Sequence, residues 1–348
     1  MAQSSEKEVL GGGAGLAGAI AIESGVELGE LEIKARGYWE QVWRRFRRDK
    51  IAIAGGITII LLILGAFIGA PIAKSLLGHG PNDLFYTALT PQGQPIGPFS
   101  TVADPSHPGH STFLIIGADS TLGRDEFLRI LYGGQVSFEV AILSTIGAIS
   151  LGVLLGSLAG YFRGWVDTVV SRLTDITMAF PQLLFIIALA STVGDSLNNI
   201  TFGIFGPGVV TLFLVFTVFG WYYPARIIRA VVLSIREKEF VEAARMVGSS
   251  DWRIIRSHIL PHLVAPIIVY STLSVASFIL LEAGLSYLNV GIKLPTASWG
   301  NLLQQASDYY TTQPWLMVWP GLALLVTTLA FNLLGDGLWD AFDPRATH

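Results

Sequence analysis

Long apolar stretches alternate with short polar ones along most of this chain. The uncharged runs 51–73 and 140–162 are each long enough to cross a bilayer, because a spanning helix needs about 20 apolar residues. The run 176–194 is slightly shorter and carries Pro181 near its start, which predicts a kink. Further runs at 208–225, 259–281 and 315–335 bring the expectation to six transmembrane helices. Before the first run, Trp39, Val42, Trp43 and Phe46 recur at i, i+3, i+4 and i+7, with arginines opposite. That spacing predicts an amphipathic helix over 38–50, aromatics in the membrane interface and guanidinium groups out. A juxtamembrane anchor and an elbow helix packed on a partner fit it equally. Residues 1–37 lack periodicity and read as a mobile cytoplasmic tail, and 74–136 as an extracytoplasmic loop that is Pro/Gly-rich over 74–112.

Composition strengthens this picture. Of 348 residues, 51% are hydrophobic and only 14% charged, where soluble domains carry about 25% charged residues. A large soluble enzyme with buried helices does not fit runs that recur at full membrane length. The net charge of -4 is too small to suggest a nucleic-acid partner, and the absence of cysteine removes disulfides, thiolate metal sites and a Cys nucleophile. The first apolar run begins only at Ile51 and is too long for a signal peptide.

Lys and Arg then orient the chain. Arg44, Arg45, Arg47, Arg48 and Lys50 precede the first run, and Arg163 and Arg172 flank the second connection. The fourth connection, about 226–258, holds Arg226, Arg229, Arg236, Lys238, Arg245, Arg253 and Arg256, whereas the alternate connections hold Lys74, Arg124, Arg129 and Lys293. The positive-inside rule therefore puts both termini of a multi-pass cell-membrane protein in the cytoplasm.

Several motifs carry no chemistry. Gly13, Gly15 and Gly18 match GxGxxG but follow no strand, and no acidic residue stands at the expected distance. His107 and His110 lack nearby carboxylates and more often ligate nothing. "LYGGQ" at 131–135 looks like an ATPase signature, yet no Lys directly follows a Gly, so no phosphate loop exists and this chain binds no ATP. Asp175 and Glu282 sit near span ends, so the coupling residues of an ion-driven carrier are missing from the span centres.

The cytoplasmic connection is more informative. A helix over 239–247 places Phe240, Ala243, Ala244 and Val247 on one side, Gly248 stops it, and Ser249, Ser250 or Asp251 can cap the next helix. Pro261 then opens the following span, where its missing N–H is tolerated. The two alanine methyls let a partner approach the backbone closely, with Glu242 and arginines at the rim. On composition alone, a docking helix and an interfacial helix touching only lipid headgroups both stand.

Glu242-Ala243-Ala244, Gly248 and Leu260-Pro261 stand at the spacing of the EAA loop and resemble that of permease subunits of binding-protein-dependent ABC transporters. His258 replaces the usual Ile, as in the dipeptide, oligopeptide and nickel branch, and His262 stands where that branch usually has Asn. "GADSTLGRDEFLRILYGG" at 117–134 resembles the branch's GTDxLGRD…RLLYGAR stretch, with Ala118 replacing Thr. "EAGLSYLNVGIKLPTASWG" at 282–300 is similar to its E-x-x-LSFLGLG…PPTPSWG segment, with Asn289 replacing a Gly. "FNLLGDGLWDAFDPR" at 331–345 resembles NLLGDGLRDALDPR, with Trp339 in place of Arg. The likeness covers about two-thirds of the chain and looks like the C-type permease.

The resemblance implies an all-α, polytopic, type I ABC importer permease fold, with a five-span core over 137–348. It implies that Phe240, Val241, Glu242, Ala243, Ala244, Arg245, Val247 and Gly248 form a coupling helix docking on an ATPase subunit. His258, Leu260 and Pro261 would close that loop. A homologous second permease, two ATPase subunits that bind ATP and Mg, an external solute-binding protein and membrane lipid would be the partners. This chain itself would hold no cofactor and catalyse nothing, and the solute would be a dipeptide or oligopeptide. Asp119, Gly123, Arg124 and Asp125 would either contact the binding protein or order the loop. A stand-alone channel or secondary transporter with an amphipathic loop is the alternative.

Overall fold

The computed structural model describes residues 38–104, 111–198 and 208–343. The tail glycines Gly13, Gly15 and Gly18 and the loop histidines His107 and His110 lie outside these residues. The chain divides into Met1–Gln41, of which 38–41 are described, and Val42–His348. Residues 38–41 belong to helix α1, Tyr38–Phe46.

In chain order the further helices are α2 (Lys50–Leu77), α3 (Glu126–Phe162), α4 (Gly164–Ala179), α5 (Gln182–Asn198), α6 (Val209–Ile235), α7 (Glu239–Met246), α8 (Asp251–Tyr287), α9 (Trp299–Ala306) and α10 (Trp315–Phe342). Among the described residues α2, α3, α6, α8 and α10 are long and apolar enough to cross a membrane, and α4 with α5 counts as a sixth span if the bent pair is one. The chain is therefore an all-α, multi-pass membrane protein. Its outward faces agree, with Ile57, Ile60, Leu61 and Ile68 of α2 and Leu325 and Leu329 of α10 exposed.

Local chemistry explains where the helices begin. The Asp49 carboxylate accepts the Ile51 and Ala52 N–H groups at 2.9 and 3.0 Å and starts α2. Asp125 does the same for α3 through Phe127 and Leu128, at 2.8 and 3.3 Å. Helix α3 thus begins well before the apolar run at 140, and its 37 residues reach about 55 Å, more than a bilayer's hydrocarbon needs. The connection after α2 is consequently 78–125 rather than 74–136. It also contains a two-stranded antiparallel sheet, β1 (Ser100–Ala103) against β2 (Ser111–Leu114), with its own small core of Phe85, Ala88, Val102, Leu114 and Ala118.

The run 176–194 is broken more sharply than a kink, as a broken span or a re-entrant loop. Helices α4 and α5 meet at 85° across Phe180 and Pro181. Phe180 is extended (ψ 141°), as a residue before proline prefers, so helical hydrogen bonding stops there altogether.

Close packing rests on small residues. Gly152, Gly156 and Gly160 form a stripe on α3 with four-residue spacing, and α6 lies directly on it through Pro224, Ala225 and Val232. The main core joins Phe138 of α3, Phe216 of α6, Phe278 of α8, Trp299 of α9 and Phe331 of α10. Glu282 is not a free group at a span end: it is fully buried and accepts hydrogen bonds from Ser137 and Ser286 at 2.8 and 2.6 Å. A second core gathers Tyr161, Ile228, Val232, Val241, Ile254, Ile255, Ile259 and Leu263 at the end of the bundle that carries α7.

Candidate functional site

Helix α7 is only eight residues long, and a helix this short is marginal without tertiary anchors. Val241 supplies one. It is completely buried in the second core, and Ala244, one turn on, packs half-buried against the same cluster. The C-terminus closes with a Schellman pattern: Gly248 N–H donates to the Arg245 carbonyl (2.9 Å) and Ser249 N–H to the Ala244 carbonyl (3.0 Å). Gly248 takes φ +83°, a left-handed backbone that glycine adopts without steric cost.

With Val241 and Ala244 turned inward, the rest of α7 faces away. Glu242 and Ala243 are exposed, Met246 and Val247 are 84% and 86% exposed, and Phe240 and the nearby Trp252 are exposed as well. Among the described residues Glu242 makes no ion pair or side-chain hydrogen bond. Of the four residues that helical spacing placed on one side, Ala244 thus belongs to the anchoring face. Phe240, Ala243 and Val247 remain available. Phe240 leans on His262 of α8, ring centroids 5.3 Å apart.

Arg245 is not a free rim charge. Its guanidinium lies over the Tyr161 ring at 5.3 Å, and that of Arg236 lies over the same ring at 5.9 Å. The Tyr161 hydroxyl donates to the Asp251 carboxylate at 2.6 Å, and Arg236 donates to the Tyr161 carbonyl. Tyr161 is 4% exposed and so clasps the ends of α3, α6, α7 and α8 together. Nothing in the sequence distinguishes Tyr161 from other aromatics at the end of an apolar run. Only the convergence of four helix ends makes it a hub.

Helix α8 starts at Asp251, with Ser250 in the cap position but no side-chain cap bond. It continues through a π turn, Ile255–Ile259, that contains the half-buried His258, before α-helical bonding resumes at Leu260. Pro261 falls in the first α-helical turn after the π turn, ten residues inside α8 rather than at the start of the span.

The residues with external contacts in prospect are differently placed. Asp119, Arg124 and Asp125 are 3%, 2% and 0% exposed, so they order the connection 78–125 and do not present a surface. Asp119 holds Arg124 at 2.6 Å and Arg129 at 3.0 Å, while Arg124 also donates to Gln305 at 2.6 Å. Asp125 pairs with His79 at 2.9 Å. Burial alone pulls the His79 imidazole down, but the Asp125 hydrogen bond and charge outweigh it and leave the pKa raised. Gly123 sits at φ +66° against the Phe85 carbonyl. Among the described residues no group of His, Asp and Glu is placed to hold a metal ion.

Residues 152–348 match the family model described as "Binding-protein-dependent transport system inner membrane component", and 37–91 match "N-terminal TM domain of oligopeptide transport permease C". The glutathione transport system permease protein GsiD of Pectobacterium atrosepticum is 35% identical over 308 residues, 88% of this chain and 91% of that protein. The dipeptide transport system permease protein DppC of Alkalihalophilus pseudofirmus is 36% identical over 307 residues, 88% of this chain and 90% of that protein. A solved inward-facing conformation of the MetNI methionine ABC transporter has a TM-score of 0.49 and 18% identity, covering 62% of this chain and 96% of that one. With one model spanning more than half its length and relatives above 30% identity across most of it, this chain belongs to the family of binding-protein-dependent transport system inner membrane components, as one of its membrane-spanning permease subunits.

Proposed function

We propose that this permease imports short peptides as part of an ATP-driven complex, with α7 as the helix on which an ATPase subunit docks. The observation that carries this reading is the division of α7 into two faces. Val241 and Ala244 hold it to the bundle, while Ala243, Met246 and Val247 stay exposed beside a Glu242 that has no partner within the described residues. Exposed apolar side chains at a polar end of a bundle mark a protein–protein contact. A small residue at the centre lets the partner's surface reach the backbone.

On this reading the α7 end, with its arginines, faces the cytoplasm, as do both termini. ATP and Mg belong to two ATPase subunits, a homologous permease completes the pore, and an external binding protein delivers the solute. The printed names of the relatives, glutathione and dipeptide transport systems, support a small peptide as that solute. Among the described residues of the 78–125 connection, Asp119, Arg124 and Asp125 are paired internally, so this reading gives the binding protein a surface other than those charges.

The test is Ala243→Trp. Because Ala243 is exposed, the larger ring meets nothing in this chain, so membrane insertion and yield should stay normal. Co-purification of the ATPase subunits and peptide uptake should both be lost. Normal uptake with normal co-purification would refute the docking role. Mass spectrometry of the solute carried by the cognate binding protein checks the peptide assignment separately.

A further inference from the structure

A groove that mixes polar and apolar side chains opens between α5, α6 and α8. Gln182, Tyr222, Tyr223, Tyr270, Ser274 and Ser277 line it among the apolar Phe219, Leu273, Phe278 and Leu281, around a cavity of about 330 Å³. Tyr222 is the central residue of α6 and Tyr270 lies near the middle of α8, so the groove sits within the spanning parts of both helices. The outward faces of α2 and α10 obey a different rule, with isoleucine and leucine exposed.

Two of the groove's polar groups are satisfied by each other. Tyr222 donates to the Gln182 side-chain carbonyl at 3.2 Å, and the Gln182 amide donates to the Phe219 carbonyl at 3.2 Å. Ser277 donates back to the Leu273 carbonyl at 3.1 Å. The rest are not. Tyr223 and Tyr270 stand edge to face, centroids 6.1 Å apart, and neither hydroxyl has a hydrogen-bond partner among the described residues; Tyr223 is 56% exposed. A hydroxyl facing hydrocarbon without a partner costs several kcal/mol. Such side chains therefore face water or a polar solute, not lipid.

The lining also has a charge pattern. None of the groove's own residues is charged. One turn further along α6, on the face of Tyr222 and Tyr223, stands Arg226, whose guanidinium is 3.5 Å from Asp175 of α4. A neutral, hydroxyl-rich wall donates to or accepts from the amide groups that every peptide carries, and it neither attracts nor repels a charged side chain.

We infer that this groove is this subunit's wall of the translocation path, where a peptide in transit exchanges backbone hydrogen bonds with Tyr223, Tyr270 and Ser274. The inference rests on the peptide-import reading and adds to it the face of the subunit that the peptide meets.

The chain has no cysteine, so single cysteines placed in it have no background from this subunit, and the parent complex serves as the labelling control. Tyr223→Cys, Ser274→Cys and Ser277→Cys would be compared with Ile60→Cys and Leu329→Cys on the apolar faces, in the full complex reconstituted in liposomes with its binding protein. The two serine changes are nearly isosteric and keep the fold. A membrane-impermeant cationic thiosulfonate should modify the groove cysteines and stop ATP-dependent uptake of a pool of di- and tripeptides, leaving the two apolar-face variants unmodified and active. Unmodified groove cysteines, or modification without loss of uptake, would overturn the inference while leaving peptide import standing. So would a disulfide between Tyr223→Cys and a cysteine on the sister permease, since that marks a packed interface. No uptake by the parent complex would overturn peptide import and the groove's role with it.

Discussion

The anchoring of α7 admits a quantitative test. Val241 is completely buried among Tyr161, Val232, Ile254 and Ile259, and Val241→Ala removes two methyl groups from that contact. At about 0.8 kcal/mol for each buried carbon, the loss is roughly 1.6 kcal/mol. Alanine is the better helix former by about 0.5 kcal/mol, which leaves a net weakening near 1 kcal/mol, somewhat more if the void does not collapse. One kcal/mol in a local opening equilibrium corresponds to roughly a fivefold increase in amide exchange. Hydrogen–deuterium exchange of the peptide covering α7, with the protein in nanodiscs, reads this directly. Val247→Ala is the control, since Val247 is 86% exposed and has little packing to lose. Its exchange should change less than twofold. Equal loosening by the two variants, or no change in Val241→Ala, would refute the division of α7 into an anchored and a presented face.

Two further outcomes concern the 78–125 connection. Gly78→Ala places a side chain at φ +78° in open space and should lower stability by about 1 kcal/mol, whereas Gly123→Ala, at φ +66° and against the Phe85 carbonyl, should cost clearly more; Tm in detergent separates them. The raised His79 pKa means that its ion pair with Asp125 stabilises the fold fully below pH 6.5 and is lost as pH rises through the folded-state value. Proteolysis of this connection should therefore increase as pH is raised above that range, and His79→Gln should flatten the dependence.

Much of the architecture was legible as pattern. Uncharged runs of bilayer length predict spanning helices because no other local structure satisfies backbone groups in hydrocarbon, and α2, α3, α6, α8 and α10 coincide with such runs. Gly248 and Pro261 marked the turn after α7 and the resumption of α8 because left-handed backbone and a missing N–H are properties of single residues. The family was legible for the same reason, in motifs of fixed spacing.

Facing, however, is not a property of spacing alone. Helical period placed Ala243 and Ala244 side by side, but the bundle turns Ala244 inward because Val241 finds its core between α3, α6 and α8. Spacing left open whether Asp119, Arg124 and Asp125 contact a partner or order the loop, and folding buries them together with Arg129 and His79. A charge's role depends on which other charges reach it, and those come from positions up to 46 residues away. The run 176–194 became a right-angled pair because a local preference at Phe180 was not overridden by packing. Sequence by itself determined which segments are long and apolar enough to cross a membrane, where their hydrogen bonding stops and which family the chain resembles, since these follow from neighbours in the chain. Only tertiary structure decided which side of α7 is offered, that Tyr161 ties four helix ends together and that tyrosines from α6 and α8 share one groove, since these require residues distant in sequence to meet.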